Sequence, residues 1–489
     1  MVLEAERSPN VLDKGLPGLV AVLAVTLLAF WLLSSRSMAL LEPRVPGMDK
    51  AGPGAVAPET DLRGKFTQGD AAPAANLKGL WPWFRGPGRD NLVTDATPLA
   101  KTFPPGGPKL LWSVDLGYGY AAAAVRAGRV YVLDYDQVKK ADALRCLSLA
   151  DGKELWRRSY SVEIKFNHGM SRTIPAVTEK YVVTLGPKAH VLCVDAVSGE
   201  FGWGMDLVRE YNAVVPDWYA GQCPLVDGER VILAVGGPDV LLMAVDLATG
   251  KPVWRTPNKP NWLMTHASIL PMTFKGRRML VYTGSNPQLG TGGIVGVAPE
   301  DGKVLWESAA FCQKIIAPTP LQIGEDLVLF TAGYNAGSVI LRLKQEGDRI
   351  VTEAVKRTKG QEFSSDQQTP VFYQGHIYGV LPSGQLACAT PAGERLWTSG
   401  AGARFGLGPY LIADGVLYLL NDDGVLTLAE ASPDGYRPLG QWKILDGHDC
   451  WGPMALVGGR LLARDLSRMV CLDVSAQGVP TGGPEAKQP

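Results

Sequence analysis

The sequence predicts an all-β chain, an eight-bladed β-propeller closed by an N-terminal strand and preceded by one transmembrane helix and a flexible linker. Three observations carry the propeller. A short phrase recurs with Gly four residues before Trp: D-G-K-E-L-W ending at Trp156, S-G-E-F-G-W at Trp203, T-G-K-P-V-W at Trp254, D-G-K-V-L-W at Trp306 and A-G-E-R-L-W at Trp397. Upstream of the phrase lies an alternating apolar strand, as in V-L-C-V-D before Gly199, so that strand, Gly turn and aromatic strand make a hairpin. The two ends are complementary. The strand around Trp112 has no strand before it, and the last strands, ending in R-M-V-C-L-D-V, have no Trp strand after them.

Spacing fixes the count. From Trp112 the Trp intervals are 44, 47, 51 and 52 residues, then 91 from Trp306 to Trp397. The long gap holds an unmarked unit, S-V-I-L-R-L-K-Q-E-G-D-R-I-V-T-E-A-V, with the hairpin pattern and no Trp. Another 45 residues lead to Trp442, where the turn reads S-P-D-G-Y-R-P. One unit shared between the two ends brings the total to eight. A period of roughly 40–50 residues with four strands per unit is the propeller signature. A fourth strand lent by the N-terminus closes the ring and leaves no open edge; an open solenoid would not need complementary ends. The ring is predicted from Lys109 to Val474.

Trp112, Trp156, Trp203, Trp254, Trp306, Trp397 and Trp442 are read as structural. Each indole buries a large area against the next blade, and its N–H needs a backbone acceptor there. Four of the seven cysteines follow the same frame: Cys146, Cys193, Cys471 and Cys388 fall at the repeat position of Ala244, which the ring keeps apart in different blades. They read as small core residues. Cys223, Cys312 and Cys450 precede first strands of three separate blades, and no C-x-x-C-H or paired zinc spacing occurs.

Before the ring come an N-terminal tail (1–15), a signal-anchor helix (16–34), a linker (35–79) and an aromatic segment (80–108). Leu16 to Leu33 is apolar apart from Thr26. Eighteen residues at 1.5 Å rise span about 27 Å, close to a bilayer core. A cleaved secretory signal is the competing reading, but cleavable apolar cores run shorter, about 7–15 residues. Charge leaves the orientation open, because Arg7 and Lys14 before the span are balanced by Arg36 and Arg44 after it. The Pro/Gly/Ala-rich linker reads as an extended tether. In W-P-W-F-R-G-P-G-R-D-N, Trp81 to Asn91, three clustered aromatics predict packing on the propeller. Residues 475–489 read as a disordered tail.

Lys plus Arg equals Asp plus Glu, 48 each, so no global field recruits nucleic acid or an anionic surface. No G-x-S-x-G elbow, H-E-x-x-H or Walker loop occurs.

The innermost strand of each blade lines the axis, and the loops leading into those strands form one face. Reading just before each strand collects Tyr118 and Tyr120; Asn167, His168 and Arg172; Trp218, Tyr219 and Gln222; Trp262, Thr265 and His266. The other four blades add Gln313 and Lys314; Asp366, Gln367 and Gln368; Arg404 and Phe405; His448, Asp449 and Trp451. The candidate ligand-binding set is His168, Arg172, Tyr219, Gln222, His266, Lys314, Asp366, Gln367, Arg404, His448, Asp449 and Trp451. Such residues either solvate a channel mouth or hold a ligand. Two arginines and a lysine would suit an anion. His190 and His376, away from that face, read as structural.

A-V-D-L-A-T-G-K-P-V-W, ending at Trp254, resembles the tryptophan-docking repeat of the PQQ-like (quinoprotein alcohol dehydrogenase-like) propeller superfamily. W-P-W-F-R-G-P-G-R-D-N is similar to a motif of exported or membrane-linked members. The resemblance implies two functions: non-catalytic envelope proteins, or dehydrogenases that use pyrroloquinoline quinone (PQQ) and Ca²⁺. Dehydrogenase chemistry needs a carboxylate base and a calcium cage. Only Asp217, Asp366 and Asp449 offer carboxylates on this face, and the vicinal Cys-Cys pair of many such enzymes is absent. No catalytic residue, cofactor or metal is therefore assigned. The expectation is a membrane-anchored, non-catalytic scaffold in the cell envelope. Its propeller lies on the periplasmic side of the inner membrane, and its partners are other envelope or membrane proteins, not nucleic acid. The alternatives are a PQQ-dependent dehydrogenase and a small-molecule anion-binding propeller.

Overall fold

The computed structural model describes residues 11–34, 59–73, 77, 79–165 and 170–478. The chain divides into two compact units, Met1–Met48 and Asp49–Pro489. The first contains a helix, Val11–Ser34, along which every side chain described, Val20 to Trp31, is exposed. Among the described residues no helix is long and apolar enough to cross a membrane. The transmembrane helix expected over 16–34 is thus without structural support.

In the second unit the strands form eight sheets, and the ring is the predicted eight-bladed propeller. Blade one runs from the axis outward as Ala124–Arg126, Arg129–Asp136, Ala141–Ser148 and Glu154–Ser161, all antiparallel. Blade eight has three strands from the C-terminal end, Ala455–Val457, Arg460–Arg464 and Arg468–Asp473. Its fourth, Lys109–Asp115, comes from the N-terminal side, with Trp112 opposite Cys471. The closing strand is where the sequence put it.

Ladder registers explain the repeat. Cys146, Cys193, Ala244, Gly296, Cys388 and Cys471 each stand opposite a Trp, and the register shifts one residue later. The shift turns the indole onto the next blade. Trp112, Trp156, Trp203 and Trp254 donate from Nε1 to the carbonyls of Leu149, Val197, Leu247 and Pro299 at 2.9–3.0 Å. Trp397 reaches Ser432 at 3.1 Å. The turn glycine beneath is obligatory: Gly250 has φ +70°, and a Cβ there would lie 2.6 Å from the Trp203 ring.

Three seams depart from the pattern. In blade five Lys356 stands opposite Ile340, at the Trp position, and its stem lies under Gly393 of blade six. Blade five also lacks the short Gly turn, so Trp306 of blade four donates to Met279 Sδ in its own blade, 3.3 Å away. In blade seven Trp442 sits two residues past the usual position, which Gly440 occupies opposite Leu428. Its ring packs edge-on against Phe103 at 5.0 Å.

Described segments of the N-terminal approach pack on the ring. Within the stretch read as linker, Lys65–Gln68 pairs with the outer strand of blade one. Arg158 fixes it, donating to Gly199 and Arg63 carbonyls with Phe66 over its guanidinium at 5.3 Å. The aromatic segment then closes one end of the axial channel. Leu80–Trp81 pairs with the innermost strand of blade one and Leu92–Val93 with that of blade seven, both at the ends away from the incoming loops. Arg89 donates to Val226 of blade three and Arg85 to Pro370 before blade six, each at 2.8 Å. Gly86 makes the turn possible, since a Cβ would strike the Trp81 ring at 2.7 Å.

Candidate functional site

Each innermost strand begins at a loop from the outer strand of the preceding blade, so eight loops surround the end of the axis opposite the aromatic plug. They enclose a cavity of about 340 Å³. Its floor is Phe84 of the plug, so the cavity is a well with one mouth. On one side Tyr120 and Trp451 stack at 5.1 Å and 29°. The other side carries Trp218 and Tyr334, stacked at 6.2 Å and 10°. Ile174, Ile315, Ala317 and Leu407 fill the gaps between the loops.

The polar lining is sparse. Arg172 lies 5.7 Å from the Tyr120 ring centroid. Burial lowers its pKa to about 10, which leaves it a cation at neutral pH. His266 is tilted against Trp218 at 6.2 Å. Burial, and then the charge of Arg172, push its pKa down to about 3, so the imidazole is neutral, and its Nδ1 has no hydrogen-bond partner. Burial also pushes Asp366 up from its ordinary value, against the Tyr334 N–H that donates to it at 3.0 Å. Gln368 is committed to the carbonyls of Leu407 and Trp451. Trp451 donates to Asp422 Oδ1 at 2.7 Å, which fixes its plane.

Of the predicted set, the well brings together Arg172, His266, Asp366, Gln367 and Trp451. Asp449 sits just behind it, accepting from Tyr120 Oη at 3.4 Å and pairing with His448 at 3.3 Å. Other expectations are corrected. Tyr219 is buried, its hydroxyl accepting from the Lys165 N–H and donating to the Lys165 carbonyl. The Gln222 amide is used at both ends by Ala234. These two brace the walls. Lys314, Arg404 and His448 are exposed and outside the lining. His168 lies outside the described residues. His190 packs edge-on against Tyr160 at 5.4 Å, and His376 bonds Gln374, as structural residues do.

Sequence reasoning missed Phe84 and Tyr334. Tyr334 comes from a hairpin between the second and third strands of blade five, not from a loop leading into an innermost strand. Its signal was available as an aromatic between glycines in A-G-Y-N-A-G. Phe84 was visible as part of a cluster needing cover, without the direction in which it points.

A family model described as outer membrane protein assembly factor BamB matches residues 139–399. The chain belongs to this PQQ-like propeller family. No curated protein matches it. Among solved structures, a quinohemoprotein alcohol dehydrogenase from Comamonas testosteroni is similar at 14% identity and TM-score 0.59, covering 85% of this chain and 83% of that one. A europium-containing methanol dehydrogenase is similar at 13% and 0.57, covering 81% and 89%. BamB from Moraxella catarrhalis is similar at 13% and 0.50, covering 75% of this chain and 100% of its own. At such identities the likeness shows the PQQ-like fold and leaves the activity open.

The quinone and calcium of dehydrogenase-type PQQ-like propellers can be tested against this well. Calcium takes six to eight oxygens, several of them carboxylate. Asp366 is the one carboxylate of the described lining, and it is pushed toward its protonated form. Among the described residues no three His, Cys, Asp or Glu side chains converge to hold a metal. Cys223 is a single thiol, its pKa raised to about 12 by burial. These residues do not fit the pair.

Proposed function

We propose that this chain is a non-catalytic scaffold of the cell envelope, anchored in the inner membrane by its N-terminal helix, with the propeller on the periplasmic side binding other envelope proteins. The donor set of the axial well carries the reading. One carboxylate, one guanidinium and a neutral imidazole among aromatic walls supply neither a general base beside a metal nor a nucleophile with its partner. The family described as an outer membrane protein assembly factor supports the same direction. The apolar run Leu16–Leu33 supports the anchor.

Two measurements test it. Cross-linking of the full chain in native envelopes, followed by detergent extraction, is expected to recover the same membrane-protein neighbours in repeated preparations. A clean monomer each time overturns the scaffold. Deleting residues 1–34 should move the propeller from the membrane fraction to the soluble fraction, and retention on the membrane overturns the anchor.

A further inference from the structure

We propose that the axial well is a binding site for a small aromatic monocarboxylate: one ring system between the two aromatic walls and one acid group on Arg172. The inference goes beyond the scaffold reading and does not depend on it.

Shape comes first. A cavity of about 340 Å³ lies at the small end of ligand pockets. The plug seals it below, so an occupant enters and leaves by the mouth alone. A through channel would be solvated from both ends, whereas a blind well with Phe84 as its floor excludes water when filled. The walls then select the occupant's form. Tyr120 and Trp451 belong to the loops flanking blade eight; Trp218 and Tyr334 belong to blades three and five, across the ring. Each pair is already stacked, and Trp451 is held by Asp422, so a flat ring meets prepared surfaces at little entropic cost. Aromatic contacts of this kind contribute about 0.5–1.5 kcal/mol each beyond burial.

Charge sets the polar end. Arg172 is the one permanent cation of the described lining, and a guanidinium has five N–H donors in a fork that matches a carboxylate. His266 is neutral and lies against Trp218, so it adds no charge beside the acid. A second acid group would meet no second cation in the described lining. That limits the occupant to one acid group. A quinone tricarboxylate would bring three anionic groups to a single guanidinium, which separates this inference from cofactor binding.

The test is calorimetric titration of the full chain in detergent with 3-phenylpropanoate, against 3-phenylpropanamide and cyclohexanepropanoate. The acid is expected to bind at least tenfold more tightly than the amide, in line with a charge-assisted bond of about 1.5–3 kcal/mol. The saturated acid should bind several-fold more weakly than the aromatic one. Arg172→Gln should bring the acid down to the level of the amide and leave the amide unchanged, while Arg172→Lys restores part of the preference. Trp218→Ala should weaken acid and amide alike. Equal binding of acid and amide to the unaltered chain, no binding of either, or an unchanged acid affinity in Arg172→Gln overturns the proposal. Cross-linking of Arg172→Gln to its neighbours reads the scaffold separately: preserved neighbours with lost acid binding leave both readings standing, and lost neighbours together with lost acid binding tell against the site's independence.

Discussion

Around the rim of the ring, one residue type does the same work in blade after blade. At the mouth of the well, the loops contribute side chains of several types. Trp112, Trp156, Trp203 and Trp254 each bond a carbonyl of the following blade at nearly one distance. Arg172, Trp218, His266, Asp366 and Trp451 come from equivalent loops and are of four different types. The difference separates two demands. Neighbouring blades face the same packing problem at every seam, so one solution serves. The well is a single site, and each loop meets a different part of it.

The sharpest way to break that comparison is at a seam. Trp203→Ala should lower stability by about 3–5 kcal/mol, the usual cost of removing a large buried aromatic, read as a shift in the unfolding midpoint. Lys356→Ala, at the same position of blade five, should cost under about 1 kcal/mol, because only an aliphatic stem packs there. Equal losses would show that the seams are not held by the indole.

Between rim and mouth lies a buried carboxylate, and pH sharpens the contrast there. Asp142 accepts from Tyr160 Oη at 3.0 Å and from Ser171 Oγ, beside Arg172 in sequence. Burial raises its pKa from 3.8 to about 7, more than those two donors lower it, and Asp134 adds a small upward push. Its folded pKa exceeds the unfolded one, so the folded state binds more protons between pH 4 and 7. Its stabilising contribution is therefore present below pH 4 and is lost as pH rises to 7. Asp142→Asn removes that slope, so the variant's melting temperature relative to the unaltered chain should rise from pH 5 to pH 8. A constant difference would place the proton elsewhere.

The smallest effects belong to the outer lip. Arg404→Ala and His448→Ala should each change stability by no more than about 0.5 kcal/mol and leave the affinity for 3-phenylpropanoate within twofold. A larger loss from either would bring it back into the site.

What could be read from the sequence follows the same division. Repetition made the ring legible: five copies of a Gly-to-Trp spacing gave the blades, and the unpaired strand at Trp112 gave the closure. The cysteines opposite the indoles were placed by the same frame. The site was half legible. Loop order told which residues come near the axis, and Arg172, His266, Asp366, Gln367 and Trp451 do line it. Loop order did not give side-chain direction. Gln222 sits on the correct loop and turns into the next strand, because Ala234 offers it both a donor and an acceptor. Lys314 and Arg404 turn outward, where a cation is better solvated. The plug crosses from blade one to blade seven through contacts between residues hundreds of positions apart, which no local pattern announces.

The plug also constrains the order of events during synthesis. Trp81 to Val93 leaves the ribosome before any blade, yet its partners include Val226, Pro370 and Tyr410. The closing strand at Trp112 waits still longer, for Cys471. Segments on the N-terminal side of the ring are thus among the last to find all their partners. Contacts of such long sequence separation make slow folders. Until the final strand emerges, Trp81, Trp83 and Phe84 stand in solvent beside an unpaired edge, a state prone to aggregation. A nascent chain of this kind gains from being held apart from its neighbours until its last thirty or so residues are made.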